Sequence, residues 1–176
     1  MEFSSIDITE NDIEDAIKQI SSGAAPGPDG IPPVLLKECS GSLKMPICML
    51  WNKSIDSGQI PDALKLRVII PVHKGGSRGE AKNYRPITLT SHLIKLFERV
   101  IVKELVYHLE SKNLFNNRQH GFRKNRSCLS QLMDHYQSIL NIMETGDIAD
   151  VIYLDFAKAF DKVDHGILLR KLVKIG

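Results

Sequence analysis

Apolar residues recur at helical spacing along most of the chain, and clusters of glycine and proline separate the periodic segments. The first helix is expected after Thr9, because Thr9 followed three residues later by Asp12 has the pattern of a capping box. Pro32-Pro33 is typical of a helix start as well. Helices are predicted from Thr9 to Gly23, Pro32 to Lys37, Leu43 to Gly58, Leu93 to Leu109, Leu129 to Met143 and Asp164 to Gly176.

Three shorter segments favour extended structure. Leu64 to Val72 has a β-branched centre, and Asn83 to Ile87 follows it after a loop marked by Gly75, Gly76 and Gly79. The pair therefore predicts a β-hairpin. A third strand is expected over Asp150 to Phe156. Together these elements predict an α+β fold that is rich in helix, without repeats or a second independent domain.

The composition is typical of a globular protein but does not identify its function. The 176 residues are 43% hydrophobic and 25% charged, as in a globular domain, and the net charge of +2 does not by itself require a polyanionic partner. The three cysteines have no spacing typical of disulfide frameworks or zinc sites, and we expect reduced, buried thiols. Without a signal peptide or a bilayer-length apolar run, the sequence predicts an intracellular protein and no membrane partner.

An acid stands where the third predicted strand ends. A buried strand would hold the Asp155 carboxylate in place, and Mg²⁺ prefers a few carboxylates that it shares with substrate phosphates. Asp155 could therefore bind Mg²⁺ beside a triphosphate. From spacing alone, a simple turn cap remains an alternative, and Asp164 has the position of a helix cap. An EF-hand fits poorly, because Phe156 and Ala157 stand where oxygen ligands are needed.

The predicted hairpin carries cations suited to phosphate binding. Lys74 offers a point charge and Arg85 a planar fork, and a hairpin could bring the two together. Solvated surface cations are the alternative interpretation. A nucleotide-binding P-loop is not indicated, because the glycines at 75 to 79 lack the G-x-x-x-x-G-K-[ST] pattern.

The segment from Tyr153 to His165, YLDFAKAFDKVDH, resembles motif A of LINE-type and jockey-type reverse transcriptases of non-long-terminal-repeat retrotransposons. Leu66 to Gly76 and Asn83 to Leu89 are similar to motifs 1 and 2 of the same enzymes. Ala25 to Ile31 resembles their N-terminal motif, and Gln119 to Ser127 resembles their third motif. The order is that of the family, and the likeness runs from about Thr9 to Gly176.

The resemblance implies a role for each matching residue. Asp155 would be a metal-binding aspartate of the catalytic site, helped by the backbone carbonyl of Phe156, and Phe160 beside Ala159 would exclude a ribose 2′-hydroxyl. The residues implied in binding nucleotide phosphates are Lys74, Arg85 and Arg67. Those implied near the template or the nucleic-acid backbone are Pro86, Ile87, Gly121, Phe122, Arg123, Lys124 and Arg126.

The implied fold is the fingers and part of the palm of a right-hand polymerase, with a fingers hairpin and an incomplete palm sheet. Residues 1–145 would form the N-terminal motif and fingers, and residues 146–176 the start of the palm. The implied activity is RNA-directed DNA synthesis with Mg²⁺, an RNA template, a DNA primer and deoxynucleoside triphosphates, in the nucleus and cytoplasm.

Motifs B and C, which supply the other catalytic carboxylates, are not found in the 176 residues. We therefore expect the chain alone to be inactive as a polymerase. The alternatives are a non-catalytic RNA-binding fragment and an inert relic of a mobile element.

Overall fold

The computed structural model describes residues 6–175, which form helices and one antiparallel sheet of two strands. The mixed, helix-rich class predicted from the sequence is confirmed at this level. The elements in chain order are α1 (Glu10–Lys18), α2 (Pro33–Glu38), α3 (Ser40–Ser57), α4 (Asp62–Lys65), β1 (Arg67–His73), β2 (Tyr84–Thr90), α5 (His92–Ser111), α6 (Cys128–Glu144) and α7 (His165–Lys174).

The described residues divide into two compact units. Residues 6–107 form the N-terminal unit, and residues 108–175 form the C-terminal unit. The N-terminal unit contains α1 to α4, the hairpin and most of α5. The C-terminal unit begins near the end of α5 and contains α6 and α7.

The start of α1 has the capping box that its sequence predicts. The amide of Asp12 donates to the Thr9 hydroxyl at 3.3 Å, and the amide of Thr9 donates to the Asp12 carboxylate at 3.2 Å. The same carboxylate pairs with Lys103 of α5 at 2.7 Å. Hydrogen bonds from Lys103 and then Thr9 lower the pKa of Asp12 below its usual value. The cap therefore also ties α1 to α5.

The core of the N-terminal unit lies between α1, α3 and α5. Trp51 is fully buried and stacks on Phe97, with ring centroids 4.5 Å apart. The Arg99 guanidinium donates to the Ala16 carbonyl at 2.8 Å, which satisfies an acceptor near the end of α1. The buried apolar residues are Ile8, Ile13, Ala16, Ile17, Ile20, Leu36, Ile47, Trp51, Ile94, Leu96 and Val100.

The C-terminal unit buries far less of its surface. Among residues 108–175, only His120 is buried, and α6 and α7 contain no buried residue. Both helices still have defined starts: Ser127 and Ser130 form a capping box at α6, and Asp164 accepts from the Ile167 amide at 2.8 Å. The cap predicted for Asp164 is confirmed. Local hydrogen bonding rather than a core thus defines these helix starts.

Three details of the sequence prediction are wrong. Asp150 to Phe156 does not form a strand, because no other strand of the described residues lies beside it to complete a ladder. Leu64 and Lys65 belong to α4, so β1 begins only at Arg67. The cysteines are free but not buried: Cys39 and Cys128 are exposed and Cys48 is half-buried. Gly176, the predicted end of the last helix, lies outside the described residues.

Within residues 6–175, no helix combines the length and the apolar character that crossing a bilayer requires.

Candidate functional site

The hairpin predicted from the sequence is present, and its register determines which cations can act together. Val72 pairs with Arg85 and Arg67 pairs with Thr90 across the two strands. Lys74 follows β1 directly, and its amide donates to the Asn83 carbonyl at 2.8 Å, so the ladder continues by one more pair. Because side chains alternate along a strand, Lys74 lies on the same face as Val72 and Arg85.

Lys74 and Arg85 are thus diagonal neighbours across the ladder, a relation that places two residues about 7 to 8 Å apart. Both side chains are exposed. Within residues 6–175, neither the Lys74 ammonium nor the Arg85 guanidinium has an ion-pair or hydrogen-bond partner. Lys74 and Arg85 therefore form a candidate binding site for an anion with several negative oxygens.

Arg67 lies apart from that pair. It stands at the opposite end of β1 and, being an odd number of residues from Val72 and Lys74, on the opposite face of the hairpin. Pro86 and Ile87, the two residues expected near a templating base, also lie on opposite faces of the hairpin. Ile87 shares the face of Arg85, whereas Pro86, paired with Pro71, lies on the face of Arg67.

The loop between the strands is closed by its own hydrogen bonds. The Asn83 side-chain amide donates to the Ser77 carbonyl at 2.8 Å, and the Tyr84 hydroxyl donates to the Arg78 carbonyl at 3.0 Å. Gly76 adopts a φ of 81° beside Asn83, where an added β-carbon would lie 2.8 Å from the amide nitrogen. The loop that carries Lys74 is therefore ordered rather than open.

Asp155 occupies a different setting from the one its sequence suggested. It lies in an irregular, exposed segment of the C-terminal unit, and neighbouring Phe156 is 81% exposed. No group of three or more His, Cys, Asp or Glu side chains converges anywhere in residues 6–175. Asp155 and the Phe156 carbonyl are oxygen donors of the type Mg²⁺ takes, but they do not complete its octahedral shell. Further oxygen ligands, from water or from substrate phosphates, would be needed to complete it.

The segment after Asp155 forms turns. Residues 157–162, which include Ala159 and Phe160, are in turn conformation, and Lys158 has a φ of 54°. Phe160 is 80% exposed, so its ring is free of contacts that would bury it. Phe160 therefore lies outside the core of the described residues.

The basic loop of the C-terminal unit runs from Arg118 to Arg126. One of its cations, Arg123, forms an ion pair with a carboxylate. Arg123 makes a bidentate ion pair with Glu110, with nitrogen–oxygen distances of 2.9 and 2.6 Å. It also donates to the Asn116 carbonyl and lies 5.1 Å from the centroid of the Phe115 ring. The hydrogen bonds from Arg123 lower the pKa of Glu110. Arg123 therefore holds the loop to the end of α5.

The other predicted contacts of this loop remain accessible. Lys124 and Arg126 are exposed, and Phe122 is 90% exposed with a φ of 60°. Arg126 donates toward His120 at 3.4 Å, and the other ring nitrogen of His120 lies 2.8 Å from the Ser130 hydroxyl. The loop thus exposes the Phe122 ring and the side chains of Lys124 and Arg126 next to the buried His120.

A groove of about 720 Å³ in the C-terminal unit joins this loop to the segment before Asp155. Gly121, Phe122 and Arg126 line one part of it, and Val151 to Tyr153 line another. The Tyr153 hydroxyl lies 2.9 Å from a ring nitrogen of His135 on α6. The structure therefore brings two of the sequence motifs to one surface.

Comparison with known proteins identifies the family. Residues 72–176 match the family described as reverse transcriptase (RNA-dependent DNA polymerase), which is more than half of the chain. The chain therefore belongs to the reverse transcriptase family. Its relatives are RNA-directed DNA polymerases of non-long-terminal-repeat retrotransposons, which confirms the resemblance to jockey-type enzymes.

Three relatives from Drosophila melanogaster show the extent of the match. The probable RNA-directed DNA polymerase from transposon BS is 28% identical over 96% of this chain, and that from transposon X-element is 30% identical over 88%. The RNA-directed DNA polymerase from mobile element jockey is 28% identical over 96% of this chain. The chain covers 19%, 17% and 18% of the three relatives, so it spans about a fifth of their length.

Sequence reasoning missed several residues that organise this site. Asn83 closes the hairpin loop, Glu110 neutralises Arg123, and Ser91 and His92 contact the turn from Ala25 to Ile31. Each acts through a partner distant in sequence or through a loop conformation, which periodicity does not reveal. The proline and glycine residues from Ala25 to Ile31 predict a turn, but they do not show that the turn contacts Ser91 and His92.

Proposed function

We propose that this chain is part of the RNA-directed DNA polymerase of a non-long-terminal-repeat retrotransposon, and that its hairpin binds the triphosphate of the incoming deoxynucleotide. One observation carries the proposal. Lys74 and Arg85 are exposed, unpaired within the described residues, and diagonal neighbours on one face of the hairpin. Family membership supplies the reaction in which such a pair would be used.

The chemistry of the two side chains suits a triphosphate. Lysine contributes a compact charge with rotatable donors, and arginine contributes a planar fork that contacts two oxygens at once. Binding through both would hold the phosphates against a hairpin whose loop is already closed by hydrogen bonds, so little backbone conformational entropy is lost. Arg67 is left out of the proposed pair, because the register separates it from Lys74 and Arg85.

We further propose that Asp155 and the Phe156 carbonyl contribute to a divalent metal site, with Mg²⁺ as the ion, and that Phe160 beside Ala159 lies under the sugar. When bound, the ion would supply charge stabilisation at the phosphates. Family membership supports this assignment, and the exposure of Asp155 and Phe160 leaves both side chains accessible. The boundary near residue 145 between fingers and palm stays a prediction.

An RNA template and a DNA primer are the proposed nucleic-acid partners. Lys124 and Arg126 are accessible for phosphate contacts, and Phe122 for stacking on a base. Arg123 could join them only by giving up its pair with Glu110. Gly121 would act through the loop backbone.

The nucleotide assignment can be tested by titrating the purified chain with Mg²⁺–dTTP at low salt and measuring the heat of binding. Replacing Lys74 or Arg85 by alanine is expected to weaken binding by at least about tenfold each, because one charge-assisted hydrogen bond is worth about 1.5–3 kcal/mol. Lys53→Ala, which removes an exposed lysine from α3, is the matched control and should leave binding unchanged.

If wild type, Lys74→Ala and Arg85→Ala bind Mg²⁺–dTTP with equal affinity, the proposed nucleotide site is wrong. If the triphosphate does not bind but RNA binds with steep salt dependence and no need for Mg²⁺, a non-catalytic RNA-binding role is favoured instead. A chain that is poorly soluble and binds neither would correspond to an inert relic.

A further inference from the structure

The turn from Ala25 to Ile31 packs against the point where the hairpin passes into α5. Gly27 lies so close to this junction that an added β-carbon would be 2.6 Å from the Thr90 carbonyl oxygen and 2.7 Å from the Ser91 α-carbon. Real β-carbons do not approach other atoms so closely, so glycine is required for the contact. The last residue of β2 is thus in direct contact with a turn more than sixty positions away in the sequence.

A pair of side chains links the same two segments. The Ser91 hydroxyl donates to one carboxylate oxygen of Asp29 and accepts from the amide of Leu93 at 3.1 Å. The other oxygen of Asp29 accepts from the Ile31 amide at 3.2 Å. Ser91 is 1% exposed, so its hydroxyl is shielded from water and depends on these partners. One hydroxyl therefore couples the turn to the first turn of α5.

His92 provides a second link. Its Nε2 lies 3.0 Å from the Ala25 carbonyl oxygen, which can only accept, so Nε2 carries the proton. The ring is 3% exposed. The two ends of the turn are thus anchored to consecutive residues at the base of the hairpin.

The hairpin needs such anchorage because it has little packing of its own. All of β1 except half-buried His73 is exposed, and β2 is exposed over Arg85 to Thr88. An isolated two-stranded hairpin is at best marginally stable in water. With both faces open to solvent, the direction of the hairpin is set mainly where it joins α5.

We propose that Asp29 is a positioning residue: through Ser91 it holds the hairpin at a fixed angle on α5, so that Lys74 and Arg85 meet a triphosphate together. This role rests on the proposed function of the hairpin. Asp29 itself does not touch the nucleotide.

The test compares Asp29→Ala, Ser91→Ala and the double variant with wild type, using the complete 176-residue chain. Inorganic triphosphate is the binding probe, and amide hydrogen exchange across β1 and β2 is the structural probe. Each single variant is expected to weaken triphosphate binding about threefold to tenfold and to speed exchange in the hairpin, with little change at α1. The double variant should weaken binding by less than the two single effects combined, because the shared Asp29–Ser91 hydrogen bond is already lost in each single variant.

Two further variants sharpen the result. Asp29→Asn keeps an oxygen for the Ile31 amide but replaces the charged acceptor for Ser91 by an NH2 donor, so its effect should be no larger than that of Ser91→Ala. Asp56→Ala, which removes an exposed carboxylate from α3, is the control and should change neither readout. Additive effects in the double variant, or hairpin exchange equal to wild type, would overturn the positioning role.

The two proposals fail in different ways. If wild type does not bind triphosphate, or if Lys74→Ala and Arg85→Ala bind it equally well, the nucleotide site is wrong. Exchange at the hairpin amides still judges the role of Asp29 in that case, because that measurement needs no ligand.

Discussion

At the scale of single residues, the described chain contains both cations without a partner and cations that hold the structure together. Lys74 and Arg85 have no partner among the described residues, whereas Arg123 is engaged by Glu110, Asn116 and Phe115. Residue type alone does not distinguish these cases. The distinction comes from which acids and carbonyls the fold brings within hydrogen-bond distance.

Gly27 is the single residue for which the structure allows the least change. Gly27→Ala is expected to destabilise the N-terminal unit by about 1–3 kcal/mol, because the added β-carbon would collide with the backbone of Thr90 and Ser91. Urea unfolding followed by Trp51 fluorescence measures this change. Gly23→Ala is the control, since nothing lies within 4 Å of its added β-carbon. Equal stability of the two variants would contradict the contact.

At the scale of elements, the hairpin and the basic loop present their groups in different ways. The hairpin places Lys74 and Arg85 together through strand register, a relation built from the backbone ladder. The loop from Arg118 to Arg126 has no ladder and depends on the Arg123–Glu110 pair and on buried His120. The exposed cations of this loop are Arg118, Lys124 and Arg126, whereas Arg123 is engaged by Glu110.

This division predicts unequal contributions of the loop cations to RNA binding. Lys124→Ala and Arg126→Ala are each expected to reduce the slope of log affinity against log salt by about 0.7, the value for one phosphate contact to a single strand. Arg123→Ala should change the slope less, because Glu110 already neutralises it. Filter binding of a single-stranded RNA over a range of salt concentrations measures the slopes. The largest loss of slope in Arg123→Ala would show that the ion pair opens on binding.

At the scale of the whole molecule, the two units differ in how much apolar surface they bury. The N-terminal unit has a core built on Trp51, Phe97 and the isoleucines of α1. In residues 108–175 only His120 is buried, and large apolar side chains such as Leu129 and Met133 are 65% exposed. Burial of apolar surface is the main source of stability, so the units should differ in stability.

Amide hydrogen exchange is expected to reveal that difference. Amides of α1 and α3 should exchange at least about tenfold more slowly than those of α6 and α7, because few buried contacts oppose local opening in the C-terminal unit. Exchange followed by mass spectrometry on the complete chain would measure it. Equal protection of α3 and α6 would mean that contacts beyond those described stabilise the C-terminal unit.

Most of the local elements, and the family, could be predicted from the amino-acid sequence. Helical spacing, the Thr9–Asp12 cap, the Asp164 cap and the paired extended segments around the glycine loop depend on neighbours in the chain, and each was predictable for that reason. The motifs around Asp155 and the hairpin also led to the reverse transcriptase family, which the comparisons confirm.

Tertiary structure alone decided what each element contacts. A strand exists only when another strand pairs with it, so the apolar run before Asp155 could not reveal that it lacks a partner in the described chain. The separation of Arg67 from Lys74 and Arg85 depends on register. The ion pair of Arg123 with Glu110 and the hydrogen bond from Ser91 to Asp29 depend on how the chain folds. Periodicity carries no information about such contacts, because they arise from how elements pack and not from how each one forms.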